Sequence, residues 1–184
     1  MRTMHLLVVL SLLSLATAAS MTVAQAVSRS CETRVVAGLS RQLVSILNQM
    51  HPGAFTEINN IPGVRLSSSA QPFLQTAAAN SLRQIVARSK RTMTLNSALR
   101  TLPQQVLLFR WGQQRRCGIG LAARPGNSNH QSGAAIDISD YQSWMRALQA
   151  GGWRWFGARD RVHFDFVRGD ARFKQDAIRA FQML

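Results

Sequence analysis

Acid is scarce in this chain. Eight Asp+Glu stand against 22 Lys+Arg, giving a formal net charge of +14 over 184 residues, and arginine supplies nearly all of the cation. Such a surface does not repel polyanions; it attracts nucleic acid, anionic lipid or anionic cell-wall polymer. Cysteine is nearly missing: only Cys31 and Cys117 occur. No close C-x-x-C pair exists, which argues against a cysteine-based zinc site. Long apolar runs are also missing beyond the first residues. The one at Leu6 to Leu15 is too short for a transmembrane helix, which needs about 20 such residues. No repeat, low-complexity tract or second-domain linker is present. Histidine, finally, is rare: His5, His51, His130 and His163 are the full set.

The first residues read as a secretory signal. Arg2 supplies the positive end, Leu6 to Leu15 the apolar run, and Ala16-Thr17-Ala18 or Ala24-Gln25-Ala26 a small-residue cleavage site. Residues 1–26 are therefore expected to be signal and 27–184 one domain, long enough to bury a proper core. The mature protein is expected to be soluble, secreted or periplasmic, and monomeric, with no stable membrane insertion. Export argues against a nucleic-acid partner and leaves anionic cell-wall polymers as candidates, held in a salt-sensitive way. In an oxidising compartment the even pair Cys31 and Cys117 is most simply a disulfide. Closing so long a loop contributes about 4 kcal/mol in the chain-entropy model, less any strain.

Helical spacing of Val35, Val36, Leu39, Leu43, Ile46 and Leu47 predicts a helix over 33–50, stopped by His51-Pro52-Gly53. Residues 54–70 read as loop with at most a short strand. Pro72 suits a first helical position, so a second helix is expected from Pro72 to Ala87. Alternation predicts a strand over 92–99 that delivers Arg100, and a helix follows from Pro103 to about Gln114. After a loop to Asn127, Gly133 relaxes the backbone and Ala134 to Ser139 form a short strand. A helix from Tyr141 to Ala150 ends at Gly151-Gly152. Strands over 153–156 and 162–167 and a closing helix from Asp170 to Leu184 complete an α+β order. The small antiparallel sheet would carry the site, with helices around it.

His5 falls in the signal and His51 in a turn, which leaves His130 and His163 for chemistry. Strand side chains alternate faces. Asp137 thus shares a face with Ala135, opposite Ile136 and Ile138, while His163 and Asp165 share a face opposite Val162, Phe164 and Phe166. Each strand offers polar ligands on one side and apolar residues on the other. Two histidines and a carboxylate suit catalytic zinc, which keeps a fourth position for water. Asp160, on the turn before His163, can act as general base. The bland alternative is a turn-capping His130, a core His163 and surface acids. Asp165 is either a partner orienting a histidine or an exposed strand residue. Trp111 and Trp144 are assigned to the core; Trp153, Trp155 and Phe156 either line a cleft or join them.

The pattern Ser128-x-His130-x-x-Gly133-x-Ala135-x-Asp137, followed by Asp160-x-x-His163, resembles the zinc D-alanyl-D-alanine peptidase family. That family includes vancomycin-resistance dipeptidases and carboxypeptidases and phage L-alanyl-D-glutamate endolysins. Ser97-Ala98-Leu99-Arg100, with Gln104-Gln105 after it, is similar to the family's S-x-Y-R segment, with Leu99 where an aromatic is usual. The likeness covers about 92–166. It implies His130, Asp137 and His163 as ligands of Zn2+, Asp160 as catalytic acid/base and Arg100 as the group that steadies an oxyanion or substrate carboxylate. A planar fork of donors suits that last task. Gln105 and Ser128 are further candidate substrate contacts, although a loop cap is at least as good a reading of Ser128. The implied activity is hydrolysis of peptidoglycan stem peptides, at terminal D-Ala or at an L-Ala-D-Glu bond. The carboxypeptidase branch usually carries Glu where this chain has Asp160, and the endolysin-like branch uses Asp. The rival expectation is a non-catalytic secreted module that binds cell wall or polyanions, since the related Hedgehog signalling domain retains such a zinc site.

Overall fold

The computed structural model describes residues 21–184; the apolar run Leu6 to Leu15 and the cleavage site at Ala16-Thr17-Ala18 lie outside the described residues. Among the described residues, six α-helices and seven short strands make an α+β fold. No helix among the described residues is long and apolar enough to cross a membrane.

Helix α1 (Val23–Arg29) opens the described chain. A 3-10 turn over Thr33–Val36 leads into α2 (Ala37–Met50), so the expected helix over 33–50 forms with a tighter first turn. The segment 54–70 holds two strands rather than one at most: β1 (Phe55–Glu57) and β2 (Val64–Leu66). Each has three residues, too few for alternation to show, and each is held by a distant partner. β1 pairs antiparallel with β3 (Phe73–Gln75), and β2 pairs parallel with β4 (Met93–Leu95). The helix expected from Pro72 therefore starts later, as α3 (Thr76–Ser89). The Pro72 carbonyl instead accepts a hydrogen bond from the Ile58 amide, and Leu74 on β3 is fully buried. Tertiary pairing outweighs the local preference of proline for a helix start.

Helix α4 (Leu102–Gln113) has Pro103 in its first turn and a Thr101–Gln104 capping box. The site sheet is antiparallel in the order β5 (Ala135–Asp137), β7 (His163–Phe166), β6 (Trp153–Trp155), with α5 (Tyr141–Ala150) between β5 and β6. Its core face carries Ile136, Phe164 and Phe166 against Leu82, Trp144, Leu148 and Trp153, all buried. Helix α6 (Phe173–Gln182) closes the chain against α2.

Helix α1 crosses the expected boundary at 26/27. Its Ala26 is 1% exposed and clusters with Val36, Leu107 and Trp111. The Val27 carbonyl accepts from the Trp111 indole N–H at 3.0 Å and from the Arg116 guanidinium at 2.8 Å. The disulfide Cys31–Cys117 forms just beyond, as expected. Cleavage after Ala26 would delete the Thr22–Gln25 capping box and strip Ala26 from this core, whereas cleavage after Ala18 keeps both. If the chain is processed at one of these two sites, N-terminal sequencing is expected to begin at Ala19; a start at Val27 would show that α1 is dispensable.

Candidate metal centre

His130 stands on a 3-10 turn over Asn129–Ser132, entered at Ser128 and left at Gly133. The Ser128 hydroxyl accepts from the His130 amide at 3.3 Å, so this serine caps the turn. Gly133 has φ +69°, and a Cβ there would meet the Gln75 nitrogen and the Phe55 ring at 3.1 Å. Only glycine fits both the left-handed backbone and the space. His130 is 1% exposed, and its Nδ1 donates to the Ala98 carbonyl at 2.8 Å. A carbonyl can only accept, so the Nε2 lone pair points the other way, toward Asp137.

Strand parity places the other two groups as expected. Asp137 on β5 pairs directly with His163 on β7, and Ala135 pairs with Asp165 one step along the same face. Ser97 holds Asp137 by a separate bridge: the Asn96 amide donates to the Asp137 carbonyl at 2.7 Å, and the Asp137 amide donates to Ser97 at 3.0 Å. The segment that delivers Arg100 is thereby tied to the strand that delivers Asp137. His130 Nε2 stands 3.1 Å from Asp137 Oδ1 and 3.1 Å from His163 Nδ1, and His163 Nδ1 is 3.0 Å from the same Asp137 oxygen. Behind His163, Asp165 Oδ1 lies 2.9 Å from Nε2 and also accepts from Asn129 at 2.7 Å. Asp165 is buried, which makes it the partner that orients His163 rather than an exposed strand residue.

The donor set fits a zinc ion. Ala98 and Asp165 occupy the outer ring nitrogens, so two imidazole lone pairs and a carboxylate oxygen converge. Tetrahedral zinc, with bonds of about 2.0–2.1 Å to nitrogen and oxygen, sets neighbouring donors about 3.3 Å apart. The observed spacings fall within a few tenths of an ångström of that. Three acceptors packed so closely need a cation or a proton among them. Burial pulls His163 down, but the hydrogen bonds and charges of Asp137 and Asp165 outweigh it and raise it to about 9. Burial also opposes ionisation of Asp137, yet His130, His163 and Arg100 hold it well below the usual carboxylate range. Asp165 is held down to about 2, against its burial, chiefly by hydrogen bonds from His163 and Asn129. Burial and the Arg100 charge keep His130 below its ordinary value.

Around this cluster lies a cleft of about 780 Å³. One wall is the loop from Gly118 to Ala123; the other is the β6–β7 turn from Phe156 to Val162. Leu121 on the first wall and Phe156 on the second, 56% and 48% exposed, are the cleft's apolar lips. Phe156 also meets the His163 ring edge-on at 5.5 Å. Trp153, by contrast, is core, with its indole N–H donating to Ser81 at 3.0 Å, as are Trp111 and Trp144. Asp160 sits in the second wall, half-buried, and its carboxylate makes no hydrogen bond among the described residues. Burial and the nearby Asp137 charge raise it above its ordinary value.

Arg100 is nearly buried beside the cluster. It donates to Asp137 Oδ2, Ser97 Oγ and Gln105 Oε1, each at 3.0 Å. Burial lowers its pKa and the Asp137 charge opposes that. Gln105 is fully buried, with its other amide end donating to the Ala123 carbonyl at 2.7 Å. Its place is behind Arg100 and under the first wall, out of a substrate's reach, which corrects the expectation of a substrate contact. Sequence reasoning also passed over Asn129 and the Ala98 carbonyl, which act through geometry that no spacing reveals.

Residues 71–168, just over half of the chain, match the family model VanY, D-alanyl-D-alanine carboxypeptidase. The chain belongs to this family. The VanY match begins upstream of the motifs, at the bridge from Gln71 to Leu99 that carries β3 against the segment holding Arg100. Membership makes the protein a carboxypeptidase-type hydrolase of peptidoglycan peptides in a family of metallopeptidases, and the His130–Asp137–His163 cluster is its candidate metal site. No individual curated protein matches the chain.

Proposed function

We propose that this protein is an exported zinc D-alanyl-D-alanine carboxypeptidase acting on peptidoglycan stem peptides. The observation that carries the reading is the convergence of His130 Nε2, Asp137 Oδ1 and His163 Nδ1, with outer-shell partners that fix both imidazoles. Those three residues would hold the zinc ion. Bound there, zinc supplies a Lewis acid and lowers the pKa of water. Asp160 takes a proton from the attacking water and hands it to the leaving amine, a role favoured by its raised pKa and free carboxylate. Arg100, held by Gln105 and Ser97, offers N–H groups to the oxygen that gains charge. The excess of arginine would hold the enzyme near an anionic wall.

Mass spectrometry of purified peptidoglycan incubated with the zinc-loaded protein tests this. Release of D-alanine, abolished by a chelator and restored by zinc, is the expected result. Because the base position is Asp160, cleavage within the stem at L-Ala-D-Glu is the second reading, and the same spectra separate the two. Unchanged muropeptides from a folded, zinc-replete sample would favour a binding module instead.

Zinc binding should also be pH-dependent in a defined direction. His163 has its pKa raised to about 9, so below that pH the metal-free site carries a proton that zinc must displace. Affinity is expected to rise by about tenfold per pH unit from neutrality toward 9 and then level off. Calorimetry in buffers of different ionisation enthalpy should show about one proton released at pH 7. Proton-independent binding would mean that His163 is already neutral.

A further inference from the structure

Two arginines in the cleft have no assigned task. Arg159 and Arg161 flank Asp160 on the second wall; both are exposed, both line the cleft, and neither has an acidic partner among the described residues. Their situation differs from that of Arg100, whose fork is committed to Asp137, Ser97 and Gln105. It differs also from that of Arg154, whose guanidinium reaches Asp165 Oδ2 at 3.2 Å. Three acids line the cleft. Asp137 and Asp165 are engaged by the histidines and by arginine, and only Asp160 is unpaired. With a dication in place the lining carries net positive charge. A peptide carrying a carboxylate meets two free guanidinium forks beside the apolar lips of Leu121 and Phe156.

We infer that Arg159 and Arg161 form a carboxylate-binding rim that selects and orients the substrate peptide. This rests on the proposed function and deepens it. A cut that releases a C-terminal residue needs a cation for that residue's free carboxylate, and the N–H groups of Arg100 not taken by Asp137, Ser97 and Gln105 are assigned to the oxygen that gains charge. A cleft of about 780 Å³ also admits a peptide of several residues, so an acidic side chain further along the chain is the other source of the same group. A guanidinium fork donates to either bidentately.

The experiment uses three peptides: one ending in D-Ala-D-Ala with an acidic residue upstream, its C-terminal amide, and its side-chain amide. Binding of each to zinc-loaded Asp160→Asn protein is read by calorimetry, and cleavage of each by the wild type is read by mass spectrometry. One amide is expected to bind about tenfold more weakly than the parent, and which one it is names the carboxylate. Arg159→Gln/Arg161→Gln in the same background should weaken the parent by a similar factor and add nothing to the loss seen with that amide. Equal binding of all three peptides, or an arginine effect that is the same for each, would overturn the rim. Failure of the wild type to cleave any peptide, with the binding differences intact, would instead overturn the proposed hydrolysis.

Discussion

Asp160→Ala is expected to retain its zinc and to lose about 10²–10⁴-fold in kcat, the usual contribution of a positioned acid/base. At tenfold per 1.36 kcal/mol, that is about 3–5 kcal/mol of barrier. The turn should survive the change, because only backbone atoms of Asp160 serve it: its amide donates to Gly157 and its carbonyl accepts from the His163 amide. The carboxylate itself touches none of the three candidate ligands by hydrogen bond, so metal content by atomic spectroscopy should match the wild type. Asp137→Ala makes the contrast. It removes an oxygen shared by His130 and His163 and should lose metal and activity together. An Asp160→Ala protein as active as wild type would place the general base elsewhere. One that loses zinc would make Asp160 a ligand.

Cys31→Ser/Cys117→Ser is expected to unfold more easily by about 4–5 kcal/mol in the chain-entropy model, a drop of roughly 10 °C or more in Tm for a domain this size. The bond closes a loop with a sequence separation of 86. Its functional effect should fall on KM more than on kcat. Cys117 stands at the base of the cleft wall from Gly118 to Ala123, whose far end hangs on Gln105 through the Ala123 carbonyl. Without the disulfide, one anchor of that wall is gone, while His130, Asp137 and His163 keep theirs on the turn and the sheet. Steady-state kinetics on a stem peptide, alongside metal analysis and calorimetry, checks this. Unaltered Tm and KM would show that α1 and the Arg116 contacts hold the wall unaided.

The candidate metal cluster is legible because its signals are local and sharp. Alternation alone put Asp137 and His163 on one face of their strands, and antiparallel pairing then set them side by side. Gly133, Pro103 and Gly151-Gly152 each announced a turn or helix end that the chain makes. Where elements were missed, the cause is length or distance. β1, β2 and β3 are three residues each, and what makes them strands is a partner far along the chain. Helix α1 was hidden because its residues resemble the tail of a signal; what stabilises it is burial of Ala26 against Trp111. Gln105 suggests a substrate contact because polarity is visible in a sequence and its burial is not. Asp165 is a partner rather than a surface residue because Asn129 and His163 share its Oδ1, a convergence that sequence spacing does not encode.

The Cys31–Cys117 bond has one more consequence, which concerns timing. His130, Asp137, His163, Asp160 and Arg100 all lie outside the segment from α1 to Cys31 that the bond ties down, and none of them is held by it. The bond that anchors the cleft wall beginning at Gly118 forms only when two thiols separated by 86 positions have met. A reducing compartment prevents that meeting. On the proposed reading, a chain held in a reducing compartment would have its candidate centre assembled but one wall of its cleft short of an anchor, and oxidation would supply that anchor.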